Sequence, residues 1–264
     1  MNTIESQRQH FDDIADSYLE SRNNKAIEYL VDKMWNVLLK NVALPAVDKV
    51  HFLDAMCGNG DTFDGFRKLC SANIKYSAFD YSPKMVAIAK EKHPGCRIWE
   101  QDITTFCEPD TYDIICIFGG LHHVHGHLQQ VMSNIRDSLK VNGIFFSCEP
   151  THSNSFFGKI RDYIYIKNAI FDHKTEKGFS IKELDNIASA NHLFLERQIY
   201  PGLLSYVLIT LPMIIPKTGK FFDKNIVKSA YFKLTNIECH LWDTTLARFF
   251  TFATFGCYRK LQSH

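Results

Sequence analysis

The run Val50-His51-Phe52-Leu53-Asp54-Ala55-Met56-Cys57-Gly58-Asn59-Gly60 places an acid at the end of an apolar strand and then opens into a tight glycine turn. Phe63, Phe66 and Leu69 follow at helical spacing. A strand, glycine turn and helix in that order let backbone N–H groups approach a ligand, because glycine lacks a Cβ and tolerates positive φ. The chemistry is that of a nucleotide-like cofactor site. A second acid, Asp80, closes the next strand-like run, Ile74 to Phe79. A carboxylate there can accept hydrogen bonds from a ribose diol.

The elements that must hold these residues alternate along the chain. Strands are predicted at 49–54, 74–79, 96–100, 113–118 and 143–148, with helices at 61–71, 83–92 and 127–140. Such alternation argues for an α/β fold, a doubly wound and mostly parallel sheet covered on both faces. Residues 1 to about 45 read as helices, with Phe11, Ile14, Ala15, Tyr18 and Leu19 on one face and Ile27, Leu30, Val31, Met34, Trp35 and Leu38 on another. After Pro150 the chain becomes aromatic-rich: 155–171 reads as helical, and 180–190 as a helix with Ser180 as N-cap and Glu183 completing a capping box. Strands are predicted at 192–199 and 249–258, and the apolar, proline-punctuated segment between them is a helical insertion. The expectation is one domain: N-terminal helices (1–45), a cofactor-binding core (46–150), then a substrate cap and last strands (151–264).

Composition removes several alternatives. The 264 residues are 45% hydrophobic and 22% charged, with a formal net charge of +1. No lysine or arginine cluster supplies the basic footprint of a nucleic-acid partner, so none is expected. The polar stretch Met1 to Asp13 is no signal peptide. Eight cysteines without a C-x-x-C pair read as reduced core thiols, which fits a cytoplasmic protein without a metal site. The longest apolar segment, 203–216, is broken by Pro212 and closed by Pro216; it is too short to span a bilayer, which takes about 20 residues.

Four motifs fall in order: Asp54 to Gly60; Phe79-Asp80-Tyr81-Ser82-Pro83-Lys84-Met85; Glu100-Gln101-Asp102-Ile103; and Tyr112-Asp113 through Phe118-Gly119-Gly120-Leu121-His122-His123-Val124. Together they resemble the class I S-adenosylmethionine-dependent methyltransferases, and most closely the small-molecule branch of type 11/25. Phe11-Asp12-Asp13-Ile14-Ala15-Asp16-Ser17-Tyr18 also resembles an opening common in that branch. The resemblance covers roughly residues 10 to 150. It implies that Asp54, Ala55, Met56, Cys57, Gly58 and Gly60 hold the methionine end of the cofactor, with Asp54 near its ammonium. It further implies Asp80 on the ribose hydroxyls, Tyr81 and Met85 against the adenosine, and Asp102 on the adenine amino group beside the Ile103 backbone. Phe118 would floor the site and Tyr18 would help close it. Two departures stand out: Met56 occupies a usual glycine position, and Gly119-Gly120 stand where a larger residue is common. Taken singly, Asp80 would equally cap the helix at Pro83, and Asp102 would be an ordinary loop acid.

The reaction implied is methyl transfer, which requires a nucleophile held in line and a base if the acceptor loses a proton. His122 and His123 are the catalytic candidates, since a neutral imidazole can take a hydroxyl proton; the same pair would equally cap the next helix. Glu149, Thr151 and His152, after the fifth strand, are secondary candidates, and His125 and His127 read as exposed helix-start residues. The aromatic region after 150 suggests a lid over a small-molecule or lipid-like acceptor, with oxygen ahead of nitrogen or carbon, although packing of a helical cap accounts for each aromatic singly. Segment 203–216 could also rest on a membrane surface. Rival readings are a non-catalytic cofactor-binding module, an RNA methyltransferase, and a relative that uses the fold for cyclisation.

Overall fold

The computed structural model describes residues 24–153, 178–214 and 224–262 throughout, together with residues 5, 8, 9, 12, 13, 15, 156, 158, 159 and 163. Its sheet runs β3 (Arg97–Glu100), β2 (Asn73–Asp80), β1 (Lys49–Ala55), β4 (Tyr112–Phe118), β5 (Leu139–His152), β8 (Ala253–Lys260), β7 (Leu193–Ile199), with the short β6 (Phe179–Ser180) paired to β5. The first five strands are parallel; β8 enters antiparallel between β5 and β7. The order reverses beside β1, so the loops after β1 and β4 diverge and leave a crevice at their carboxyl ends, where doubly wound folds bind ligands. The expected Rossmann-like fold is the one observed.

Both sheet faces are buried because the central strands carry runs of consecutive apolar residues. Phe52, Ile114 and Phe146 join the core on one face, and Leu53, Ile115 and Phe145 join the core on the other. Helix α1 (Lys25–Leu39) starts where the Asn24 side chain accepts the Ala26 N–H at 2.9 Å, and it buries Leu30, Met34, Trp35 and Leu38 at helical spacing. Trp35 meets the rings of Phe66, Phe146 and Phe255 at 5.2, 5.0 and 4.6 Å, and its indole N–H donates to the Thr62 carbonyl at 3.1 Å. Trp35→Ala is therefore expected to cost about 3–5 kcal/mol of folding stability. Urea unfolding checks this, and a loss well below that range would mean that Trp35 is not the keystone of this face.

Helices α2 (Asp61–Arg67), α3 (Pro83–Lys92) and α4 (Leu128–Ser138) follow β1, β2 and β4, and a 3-10 stretch (Leu121–His127) precedes α4. Helix α5 (Ile181–Ala190) has the expected capping box between Ser180 and Glu183. Among the described residues of the insertion between β7 and β8 lie three further helices, α6 (Leu204–Ile214), α7 (Asn225–Glu238) and α8 (Thr245–Phe250). Within the apolar 203–216 stretch, Leu204–Ile214 forms α6, and no helix among the described residues is long and apolar enough to cross a membrane.

Several boundaries differ from expectation, with α2 ending at Arg67 rather than 71 and α4 at Ser138 rather than 140. Strand β5 starts at Leu139 rather than 143, because Tyr112 of β4 pairs with Leu139 before the register shifts. Phe249 and Phe250 end a helix instead of opening a strand: the Thr244 side chain accepts the Ala247 N–H at 3.2 Å and caps α8. The apolar face Phe11, Ile14, Tyr18 and Leu19 and most of 155–171 lie outside the described residues. All eight cysteines are free thiols, with Cys57, Cys116, Cys148 and Cys257 buried.

Candidate functional site

The loop after β1 is shaped by three left-handed residues, Met56, Gly58 and Gly60, at φ 56°, 53° and 77°. Gly60 N–H closes the turn onto the Cys57 carbonyl at 2.9 Å, and Cys57 N–H reaches across to the Phe79 carbonyl at 3.0 Å. A Cβ built on Gly58 would meet nothing within 4 Å, so the loop opens there onto free space rather than onto protein. Of the other residues expected around the cofactor, Ala55, Met85 and Ile103 belong to the buried core, with Cys57 nearly so.

Two acids at adjacent strand ends face this loop. Asp80 accepts the Gly58 N–H on Oδ2 and the Ser82 N–H on Oδ1, both at 2.9 Å. It does not cap α3. Ser82 does, accepting the Met85 N–H at 3.2 Å, so Asp80 is left to the loop and to the crevice. Asp54 is 1% exposed, and the Tyr76 hydroxyl donates to it at 3.2 Å. Burial pushes its carboxyl up to about 8, with the Tyr76 hydrogen bond opposing and the Asp80 charge adding. Burial likewise raises Asp80, against the N–H groups of Ser82 and Gly58.

Asp102 accepts both the N–H and the hydroxyl of Thr104 on one oxygen, each at 2.8 Å. Gln101 N–H bonds the Asp80 carbonyl at 3.0 Å, which joins the ends of β2 and β3. Tyr81 donates its hydroxyl to Glu5 at 3.1 Å, and the Ser82 hydroxyl donates to Asp12. Glu5 and Asp12 therefore lie beside this end of the crevice; Tyr18, expected to help close it, is outside the described residues.

The loops after β4 and β5 build a second cluster. Glu149, 1% exposed, accepts the N–H groups of Gly120 (3.0 Å) and Leu121 (2.8 Å) on Oε1. It accepts that of His122 (3.3 Å) on Oε2, and Oε2 also meets His122 Nδ1 at 2.9 Å. Burial lifts this carboxyl to about 7, while the Leu121 N–H and then the nearby His123 oppose the shift. The rings of His122 and His123 lie 3.9 Å apart. Phe118 is half-buried, its ring 5.6 Å from that of Phe255. His125 differs from expectation: it pairs with Glu183 at 3.1 Å and stacks on Phe179. His127 is exposed. Thr151 is buried and gives its N–H to the Phe252 carbonyl at 3.0 Å, so it serves the sheet.

The sequence reading made Glu149 only a secondary candidate and missed its hold on His122. A lone acid closing the apolar run Phe145-Phe146-Ser147-Cys148 was the available signal, because a fully buried carboxylate needs partners. Tyr76 carried no such signal. Among the described residues no cluster of side chains could hold a metal ion.

The raised carboxyls of Asp54 and Glu149 make folding stability depend on pH. The folded protein holds the protons of Asp54 and Glu149 above the ordinary carboxylate range, so it binds more protons than the unfolded chain between about pH 4 and 8. Their contribution to stability is present at low pH and is lost as pH rises through 7 and 8. The thermal midpoint of the protein without cofactor is expected to fall from pH 5 to pH 8, and Asp54→Asn to flatten that fall. A midpoint that climbs through this window, or an unchanged slope in the variant, would refute the buried-acid account.

A family model described as a methyltransferase domain matches residues 52–143. The demethylmenaquinone methyltransferase of Chlorobaculum parvum is 27% identical over 168 residues, which cover 62% of this chain and 67% of that protein. Among solved structures, a chain from the complex of the Haloferax volcanii Trm112 methyltransferase activator with a methyltransferase superposes with a TM-score of 0.61 at 16% identity, covering 96% of this chain and 98% of that one. Haemonchus contortus phosphoethanolamine N-methyltransferase 2, solved with phosphomonomethylethanolamine and S-adenosylhomocysteine, gives 0.54 at 16% identity, covering 86% and 52%. These structural likenesses speak for the fold alone.

Sheet order, glycine loop, strand-end acids and the matched domain together define the class. The chain carries a methyltransferase domain over residues 52–143, on the Rossmann-like fold of the methyltransferases that use S-adenosylmethionine. The crevice fits that cofactor on two counts. The glycine loop leaves free space at Gly58, and the buried Asp54 and the partly buried Asp80 have the acceptor chemistry for an ammonium and a diol.

Proposed function

We propose that this methyltransferase acts on a small-molecule or lipid-linked acceptor bearing an aromatic hydroxyl, and that His122, oriented by Glu149, takes the hydroxyl proton. The observation that carries this is the buried Glu149–His122 pair at the carboxyl ends of β4 and β5. The carboxylate holds Nδ1–H, which leaves Nε2 with the lone pair a base needs. Three N–H groups on the same carboxylate fix the turn that carries the ring.

In this reading residues 54–60 hold the cofactor's methionine end and Asp54 faces its ammonium. Asp80 accepts the ribose diol beside Tyr81 and Met85, and Asp102 and the Ile103 backbone serve the adenine. Phe118 floors the reacting end. The cofactor supplies an electrophilic methyl on a sulfonium. The chain's own contribution is to hold the acceptor in line, exclude water and remove one proton. The region after 151 would act as the acceptor's cap, with α6 as a point of peripheral membrane contact.

Oxygen is the proposed acceptor atom. A second reading, methylation of a ring carbon activated by the same deprotonated hydroxyl, is favoured by the relatives named for demethylmenaquinone. Incubation with methyl-labelled cofactor and a reduced short-chain naphthoquinone, followed by NMR of the product, separates the two. A methoxy signal supports oxygen and an aryl-methyl signal supports carbon. Transfer to amines but to no aromatic hydroxyl compound would defeat the proposal.

A further inference from the structure

Met56 and Gly120 belong to different loops, one after β1 and one after β4, yet they share one small volume. A Cβ added at Gly120 would fall 2.8 Å from Met56 Sδ and 3.0 Å from Met56 Cβ, with Ile117 Cγ2 at 2.9 Å. Glycine at 120 is thus what admits the Met56 side chain. Met56 itself stands at φ 56°, a left-handed conformation that is strained for a non-glycine residue and persists only where its surroundings over-determine it. The flexible thioether seated over Gly120 is such a surrounding contact. Gly120 is also the first of the three consecutive N–H donors to Glu149, the carboxylate that holds His122. A continuous line of contact therefore runs from the cofactor loop through Met56 and Gly120 to the Glu149–His122 pair.

We infer that Met56 is a positioning residue: its thioether, seated in the notch left by Gly120, sets the Glu149-bound turn relative to the cofactor loop and so places His122 when that loop is occupied. The two unusual residues form one compensating pair. The consequence for turnover rests on the proposed base role of His122, but the structural coupling can be read without any acceptor.

The test is to titrate ¹⁵N-labelled protein with S-adenosylhomocysteine and follow the amide resonances of Gly120, Leu121 and His122 to saturation. In the wild type all three move. Met56→Ala is expected to lose more than half of that movement, and Met56→Leu, of similar volume, to regain most of it. Turnover at saturating cofactor falls by about tenfold in Met56→Ala and recovers in Met56→Leu. Absence of movement in the wild type, or its full persistence in Met56→Ala, overturns the inference. A wild type whose amides move but which methylates no aromatic hydroxyl refutes the acceptor proposal alone, and the amide test still decides this one.

Discussion

Asp80→Ala is expected to weaken cofactor binding by about 100-fold or more. The carboxylate works in two directions. It ties down the glycine loop through the Gly58 N–H on one oxygen and the end of β2 through the Ser82 N–H on the other, both at 2.9 Å. In the proposed site it also receives the ribose diol. Hydrogen bonds to a charged group contribute about 1.5–3 kcal/mol each, and about 1.4 kcal/mol corresponds to a tenfold change in affinity. Loss of two ribose contacts, together with release of the loop at Gly58, therefore removes at least about two decades. Asp80→Asn separates the two roles: its amide oxygen can keep one N–H partner, while its NH2 cannot accept the other. An intermediate loss is expected. Calorimetric titration with S-adenosylhomocysteine checks both variants, and near-wild-type affinity in Asp80→Ala would remove the ribose assignment.

The second large effect is on turnover. His122→Ala is expected to lower kcat by about 100- to 10,000-fold, the usual contribution of a positioned base, with cofactor affinity held within about threefold. Glu149→Gln keeps the volume but offers one accepting oxygen where the carboxylate serves three N–H groups and an imidazole. Its kcat is expected to fall less than that of His122→Ala, through loss of the ring's orientation. Burial lifts Glu149 to about 7, so acidification through pH 7 neutralises the carboxyl and loosens its hold on Nδ1–H. Wild-type turnover should fall as the pH drops through 7, and in Glu149→Gln the part of that fall due to the carboxyl should disappear. A pH profile identical in the two proteins would contradict the orienting role.

Much of this was legible from residue order because local chemistry and global fold agree in the parallel half of the sheet. Helix α3 (Pro83–Lys92) has the expected bounds, since Pro83 at its first turn and Ser82 as its cap are local signals. The strand-end acids and the glycine loop lie where their motifs put them. What stayed hidden depends on contacts distant in sequence. Glu149 meets residues 120–122 only once β4 and β5 are paired. The departures at Met56 and at Gly120 were each visible, but that one side chain fills the other's missing volume is a fact of packing. Past residue 200 the pattern misled at Phe249 and Phe250, whose apolar run reads as strand, while a single threonine cap turns it into the end of α8.

The most direct measurement of the central claim is transfer of labelled methyl from S-adenosylmethionine into fractionated cell extract, run with the wild type and with His122→Ala. The account predicts label on an aromatic hydroxyl compound, in the small-molecule or the lipid-extractable fraction, from the wild type and almost none from the variant. Label confined to RNA or to compounds without an aromatic hydroxyl, or equal labelling by both proteins, would contradict it.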